Sequence, residues 1–97
     1  MNKETTIAIP ADPNDPEDFD VSVAGLERGL MGRRIRQLRN RLGMTQPEFA
    51  AAFGIPANSI RQYELGRRMP PPALRAYLRV IEAEPEMVRR VMAMQPA

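Results

Sequence analysis

The sequence predicts an all-α fold of five short helices behind a mobile acidic arm. From residue 31 onward, apolar residues recur at intervals of three and four, the period of a helix with one buried face. Gly and Pro fall between these runs, where helices stop and start. No segment makes a convincing strand: Thr5-Thr6-Ile7-Ala8-Ile9 is short and β-prone, and it either pairs with a partner or frays, fraying being the expectation.

The arm is residues 1–22 and the helical domain residues 23–97. Residues 10–20, PADPNDPEDFD, hold three Pro, five acids and one large apolar side chain, Phe19. Such a stretch buries too little surface to offset its ordering entropy. Val23, Leu26 and Leu30 then share a helical face, weakened by Gly25, Gly29 and Gly32. Met31, Ile35, Leu38 and Leu42 make a firmer stripe that ends at Gly43, with Arg39 and Arg41 in its last turn.

Thr45-Gln46-Pro47-Glu48 reads as a capping box opening a helix over 46–53 that buries Phe49, Ala50 and Phe53. Pro47 fits because first-turn amides have no partner inside the helix. Gly54-Ile55-Pro56 makes a turn into a third helix over 57–65, with Ile60 and Tyr63 inward, which ends at Gly66. Pro70, Pro71 and Pro72 lead into a fourth helix over 72–83, with Leu74, Leu78 and Ile81 as its inner stripe. Pro85 opens a last helix that turns Met87 or Val88, and Val91, inward.

Composition removes whole classes of function. The 97 residues hold no Cys and no His, so disulfides, thiolate nucleophiles, sulfur-ligated zinc and a Ser-His-Asp triad are unavailable within the chain. An enzyme acting on nucleic acid would need clustered carboxylates around Mg²⁺, and the clustered acids, Asp12 to Asp20, lie in a Pro-rich run without a rigid frame. No catalytic residue, metal ligand or cofactor is therefore expected. No 18-residue apolar run exists for a membrane span, and Met1–Pro10 lacks the apolar centre of a signal peptide, so the cytoplasm is the expected location.

The net charge of +2 hides an asymmetry. Residues 1–20 set one Lys against six acids, whereas residues 28–68 set nine Arg against two Glu. A solvated basic face and a nucleic-acid surface both fit that charge. Spacing narrows the choice: two short helices joined by a Gly-containing turn, the second carrying Asn58, Ser59, Arg61 and Gln62 outward, form a helix-turn-helix.

Residues 35–68, IRQLRNRLGMTQPEFAAAFGIPANSIRQYELGRR, resemble the Cro/phage-repressor family of DNA-binding domains. The likeness rests on Leu38-Arg39, Thr45-Gln46, Glu48-Phe49-Ala50, Phe53-Gly54-Ile55, Ile60, and Glu64 followed by Gly66-Arg67. It implies that Ala57, Asn58, Arg61 and Gln62 read base edges, where Asn or Gln suits adenine and Arg suits guanine. It also implies that Thr45, Gln46, Ser59, Arg67 and Arg68 hold phosphates, and that Arg39 and Glu64 form a buried salt bridge. Two positions depart from the family pattern. Pro56 stands where a hydroxyl residue often caps the reading helix, and Ala57 offers only a methyl group, to a thymine methyl for instance.

A second resemblance covers the whole chain. An acidic start, a helix-turn-helix, and then Arg67-Arg68, Pro70, Ala76, Leu78, Val80-Ile81 and Pro85-Glu86 look like the HigA-like antitoxins. In those proteins a flexible arm masks a small basic ribonuclease toxin and the complex represses its own operon. By that likeness Phe19, Val21, Val23, Leu26 and Leu30 belong to the toxin-binding arm; the alternative is an acidic leader that folds back on the basic surface.

The expected function is a sequence-specific repressor that binds a palindromic operator in double-stranded DNA as a homodimer, the antitoxin of a toxin-antitoxin pair. Its alternatives are a stand-alone regulator without a toxin, and a protein whose first task is toxin neutralisation. Tyr77, Val80, Met87, Val88, Met92 and Met94 exceed what one small core hides and are read as the pairing surface.

Overall fold

A computed structural model describes residues 22–94, which form five helices: α1 (Val23–Arg41), α2 (Gln46–Phe53), α3 (Ala57–Glu64), α4 (Pro72–Ala83) and α5 (Pro85–Ala93). Among the described residues there is no strand. The fold is an all-α helix-turn-helix bundle. The segments Thr5–Ile9 and 10–20, with Phe19 and Val21, lie outside the described residues.

The glycine-weakened stretch from Val23 and the firm stripe from Met31 form one helix: α1 runs unbroken for 19 residues through Gly25, Gly29 and Gly32. Ser22 starts it, its hydroxyl accepting the Gly25 amide at 3.0 Å, which satisfies a first-turn donor that has no partner inside the helix. The inner stripe is as the spacing predicts, with Ile35 and Leu38 buried and Met31 and Leu42 half-buried at its ends. Val23, Leu26 and Leu30 are exposed, at 73%, 57% and 65%.

The capping box forms at α2. The Glu48 amide donates to the Thr45 hydroxyl at 3.2 Å, and the Thr45 amide donates to the Glu48 carboxylate at 2.9 Å. Gly54 ends α2 at φ 71°, a left-handed conformation that costs a side-chain-bearing residue about 1 kcal/mol or more. The Ile55 amide closes the turn on the Ala50 carbonyl at 3.0 Å.

The core gathers around Phe49, Phe53, Ile60 and Ile81, all with no measurable exposure. The two Phe rings lie 4.8 Å apart at 57°, a tilted packing that sets ring edge against ring face. Each fully buried side chain of this size stabilises the fold by about 1.5–3 kcal/mol.

The pairing surface read from the sequence needs correction at two positions. Tyr77 is half-buried, and its hydroxyl donates to the Phe53 carbonyl at 2.7 Å, satisfying an acceptor at the end of α2. Val88 is buried in the core and is thus the inward choice over Met87. Val91, read as inward, is half exposed at 51%, because α5 turns Val88 and Met92 toward α2. The Met92 methyl lies over Gly54, 2.8 Å from where a Cβ would stand. Val80, Met87, Met92 and Met94 remain exposed.

Candidate nucleic-acid interface

Helix α3 has two unlike faces. Ile60, Tyr63 and Glu64 are buried, while Ala57, Asn58 and Arg61 stand exposed on the other side. That outer row follows from spacing, since Arg61 lies three residues after Asn58 and four after Ala57, the intervals that share a helical face. Ser59 and Gln62 are half-buried at its margins, so the outward row is narrower than the sequence suggests. Pro56 provides no side-chain cap. Its φ of −58° is helix-compatible, and its carbonyl accepts the Ser59 and Ile60 amides at 3.0 and 3.1 Å.

One carboxylate fixes the orientation of α3. Glu64, 8% exposed, accepts from Arg39 twice, Nε to Oε2 at 2.7 Å and Nη2 to Oε1 at 2.9 Å. Its Oε1 also accepts the Gln46 side-chain amide at 3.0 Å. Arg39 donates further to the Met44 carbonyl at 3.0 Å. Glu64 therefore ties α3 to α1 and to the start of α2, and Arg39 extends the tie to the loop before α2. Burial pushes its carboxyl upward, but the hydrogen bonds from Arg39 and Gln46 and the charges of Arg39 and Arg36 outweigh this, so it is held below the usual carboxylate range.

Gln46, whose side chain the family likeness assigns to a phosphate, thus points one amide hydrogen inward to Glu64. Thr45 is exposed; its oxygen accepts within the capping box, which leaves its hydroxyl hydrogen to donate outward.

Sequence reasoning missed a second set of contacts, at the other end of α3. Arg36 donates to the Glu64 carbonyl at 3.1 Å and Arg28 to the Gly66 carbonyl at 3.0 Å. Both satisfy acceptors where the helix dipole is negative. Gly32 lies between them on the same stripe of α1, and there the Tyr63 carbonyl comes so close that a Cβ would stand 2.5 Å from it. Arg28-x3-Gly32-x3-Arg36 was the available signal: two donors four residues either side of a glycine.

Arg67 and Arg68 follow α3 and are exposed. The loop that carries them turns at Gly66, φ 75°, and is anchored by buried Pro70, whose carbonyl accepts from Arg75 at 2.6 Å. Asn58 and Arg61 on α3 and Arg67 and Arg68 in the loop after it are all exposed, within the chain's most basic region. Planar guanidinium groups bond phosphate and guanine bidentately, and Asn does the same for adenine. Among the described residues no group of three acidic side chains is arranged to hold a metal ion, and no helix is long and apolar enough to cross a membrane.

Comparison with known proteins agrees with this geometry. A family model described as a helix-turn-helix domain matches residues 30–91. The chain is 33% identical over 57 residues to Antitoxin MqsA of Escherichia coli (strain K12), covering 59% of this chain but 44% of that protein. It is 41% identical over 49 residues to the uncharacterized HTH-type transcriptional regulator YazB of Bacillus subtilis (strain 168), covering 50% of this chain and 71% of that one. The match thus spans less than half of the antitoxin's length. No solved structure gives a significant match.

Proposed function

The chain belongs to the helix-turn-helix domain family, and from that premise we propose that it is a transcriptional regulator that binds double-stranded DNA sequence-specifically. The observation that carries this reading is the row Ala57, Asn58 and Arg61 on the open side of α3, whose opposite side is fixed by Ile60, Tyr63 and the Glu64 carboxylate. With α3 in the major groove, Asn58, Arg61 and Gln62 read base edges and the Ala57 methyl meets a thymine methyl. Thr45, Gln46, Ser59, Arg67 and Arg68 hold the phosphates either side and set the register.

A single short helix reads only a few base pairs. Useful specificity therefore comes from a homodimer on a palindrome, with half-sites about 34–36 Å apart. Val80, Met87, Met92 and Met94 supply exposed apolar surface for the pairing. The regulator works without a cofactor or an enzymatic step, in the cytoplasm, as a repressor of its own operon.

Similarity to a protein named as an antitoxin supports a further role, neutralisation of a toxin, which the HigA-like resemblance makes a small basic ribonuclease. The exposed α1 stripe Val23, Leu26 and Leu30, with Phe19 and Val21 before it, is the surface proposed for that partner.

The test is selection of fragments from the source organism's own DNA by purified protein at about 150 mM salt, where nonspecific phosphate binding is already weakened. Enrichment of one inverted repeat beside the protein's own gene is expected. Many scattered related sites would indicate a wider regulator, and no enrichment would refute autonomous DNA binding.

A further inference from the structure

A groove of about 250 Å³ runs between α1 and α4, floored by Met31, Ile35, Leu38 and Leu78 and edged by Arg34, Arg75, Arg79 and the carboxylate Glu82. It continues toward the start of α1, past Glu27, Leu30 and Met69, as a second hollow of about 260 Å³ that shares Met31, Arg34 and Arg75 with the first. Arg34 is engaged by Glu82, Nη2 to Oε1 at 2.6 Å. Arg79 has no ion-pair partner among the described residues. The result is an apolar channel with spare positive charge on its α4 side, apart from the outer face of α3.

We infer that this channel is the docking site of the chain's own acidic leader, residues 10–20. Two properties match. The leader carries Asp12, Asp15, Glu17, Asp18 and Asp20, and a single large apolar side chain, Phe19, so its chemistry is complementary to an apolar floor with an arginine edge. Its tether also has the right length. An extended chain spans about 3.3 Å per residue, which lets Phe19 reach about 10 Å back from Ser22. A helix rises 1.5 Å per residue, so this distance ends about level with the turn holding Glu27 and Leu30, where the outer hollow opens. Asp15, about 23 Å from Ser22 on the same basis, reaches past Arg34 to the guanidinium groups of Arg75 and Arg79. Laid antiparallel to α1, the leader sets its aromatic ring in the outer hollow and its acids along the α4 edge. This docking is independent of the DNA-binding reading and leaves α3 open.

The absence of Cys allows a direct test on the full chain. A nitroxide attached at Asn14→Cys is expected to broaden the methyl signals of Met31, Met69 and Leu78 well beyond those of Ile60 and Val88. Phe19→Ser or Arg79→Glu should each abolish that preference, and raised salt should weaken it. Uniform broadening, broadening centred on α3, or a pattern unchanged by Phe19→Ser would overturn the proposal. Broadening that arises only when spin-labelled and isotope-labelled copies are mixed would overturn it too, because the leader would then dock on another copy.

Discussion

The carbonyl oxygen of Tyr63 occupies the space that a side chain on Gly32 would need. A Cβ at residue 32 would stand 2.5 Å from that oxygen and 2.9 Å from the Glu64 oxygen, both backbone atoms that cannot swing aside. The glycine that weakens α1 by propensity is what allows α1 to seat the end of α3.

Two neighbouring glycines should therefore respond oppositely to the same change. At Gly29 an added Cβ meets nothing within 4 Å, so Gly29→Ala should stabilise the protein by about 0.5–1 kcal/mol through helix propensity. Gly32→Ala gains the same propensity but must push two backbones apart, a change that typically costs about 1–3 kcal/mol, and should be destabilising on balance. Urea denaturation of both variants decides this, and equal effects would show that the close approach has no energetic weight.

Much of the fold was legible because local chemistry and tertiary packing agree. Thr45 and Glu48 are a capping box in sequence and in space, and Phe49, Phe53 and Ile60 are apolar at helical spacing and buried. What was not legible is where two helices meet end to side. Helix propensity at Gly32 and its close contact with Tyr63 pull in opposite directions, and only the three-dimensional approach decides between them. Arg28 and Arg36 looked like general basic charge because their partners are backbone carbonyls, so that their spacing about Gly32 is the one mark the sequence carries. Tyr77 looked like surplus apolar surface until its hydroxyl found the Phe53 carbonyl.

Glu64 makes stability depend on pH in a definite direction. Its carboxyl is held below its ordinary range in the folded state, so the folded state favours the charged form more than the unfolded chain does. The resulting stability is fully present above the unfolded value, about 4.3, and is lost as pH falls through the folded value. Glu82, lowered chiefly by its hydrogen bond from Arg34, acts in the same sense. Glu64→Gln should cost about 3 kcal/mol at neutral pH, since it leaves Arg39 without its counter-charge, and should flatten the acid limb. Thermal unfolding between neutral pH and pH 3 tests both points; an acid limb as steep as the parent's would remove Glu64 as its source.

Arg61 and Arg67 should divide the labour of DNA binding. Arg61 is exposed on the open face of α3, so Arg61→Ala should lower discrimination at one base pair by about 1–3 kcal/mol. Arg67 lies in the loop beyond α3, and Arg67→Ala should weaken all sequences alike and reduce the salt slope by about one charge. Titrations of operator and random duplexes at several salt concentrations separate the two. Equal losses on both duplexes for both variants would refute the division.

Removal of residues 1–20 should leave operator affinity intact or raise it. The segment sets one Lys against six acids, a net −5, and negative charge near a phosphate lattice opposes association whether or not it touches DNA. The gain should be largest at low salt and should fade as the Debye length shrinks below the distance between leader and duplex. A loss of tenfold or more, which is 1.4 kcal/mol, would place the leader in the DNA-binding surface itself, because repulsion alone gives the opposite sign.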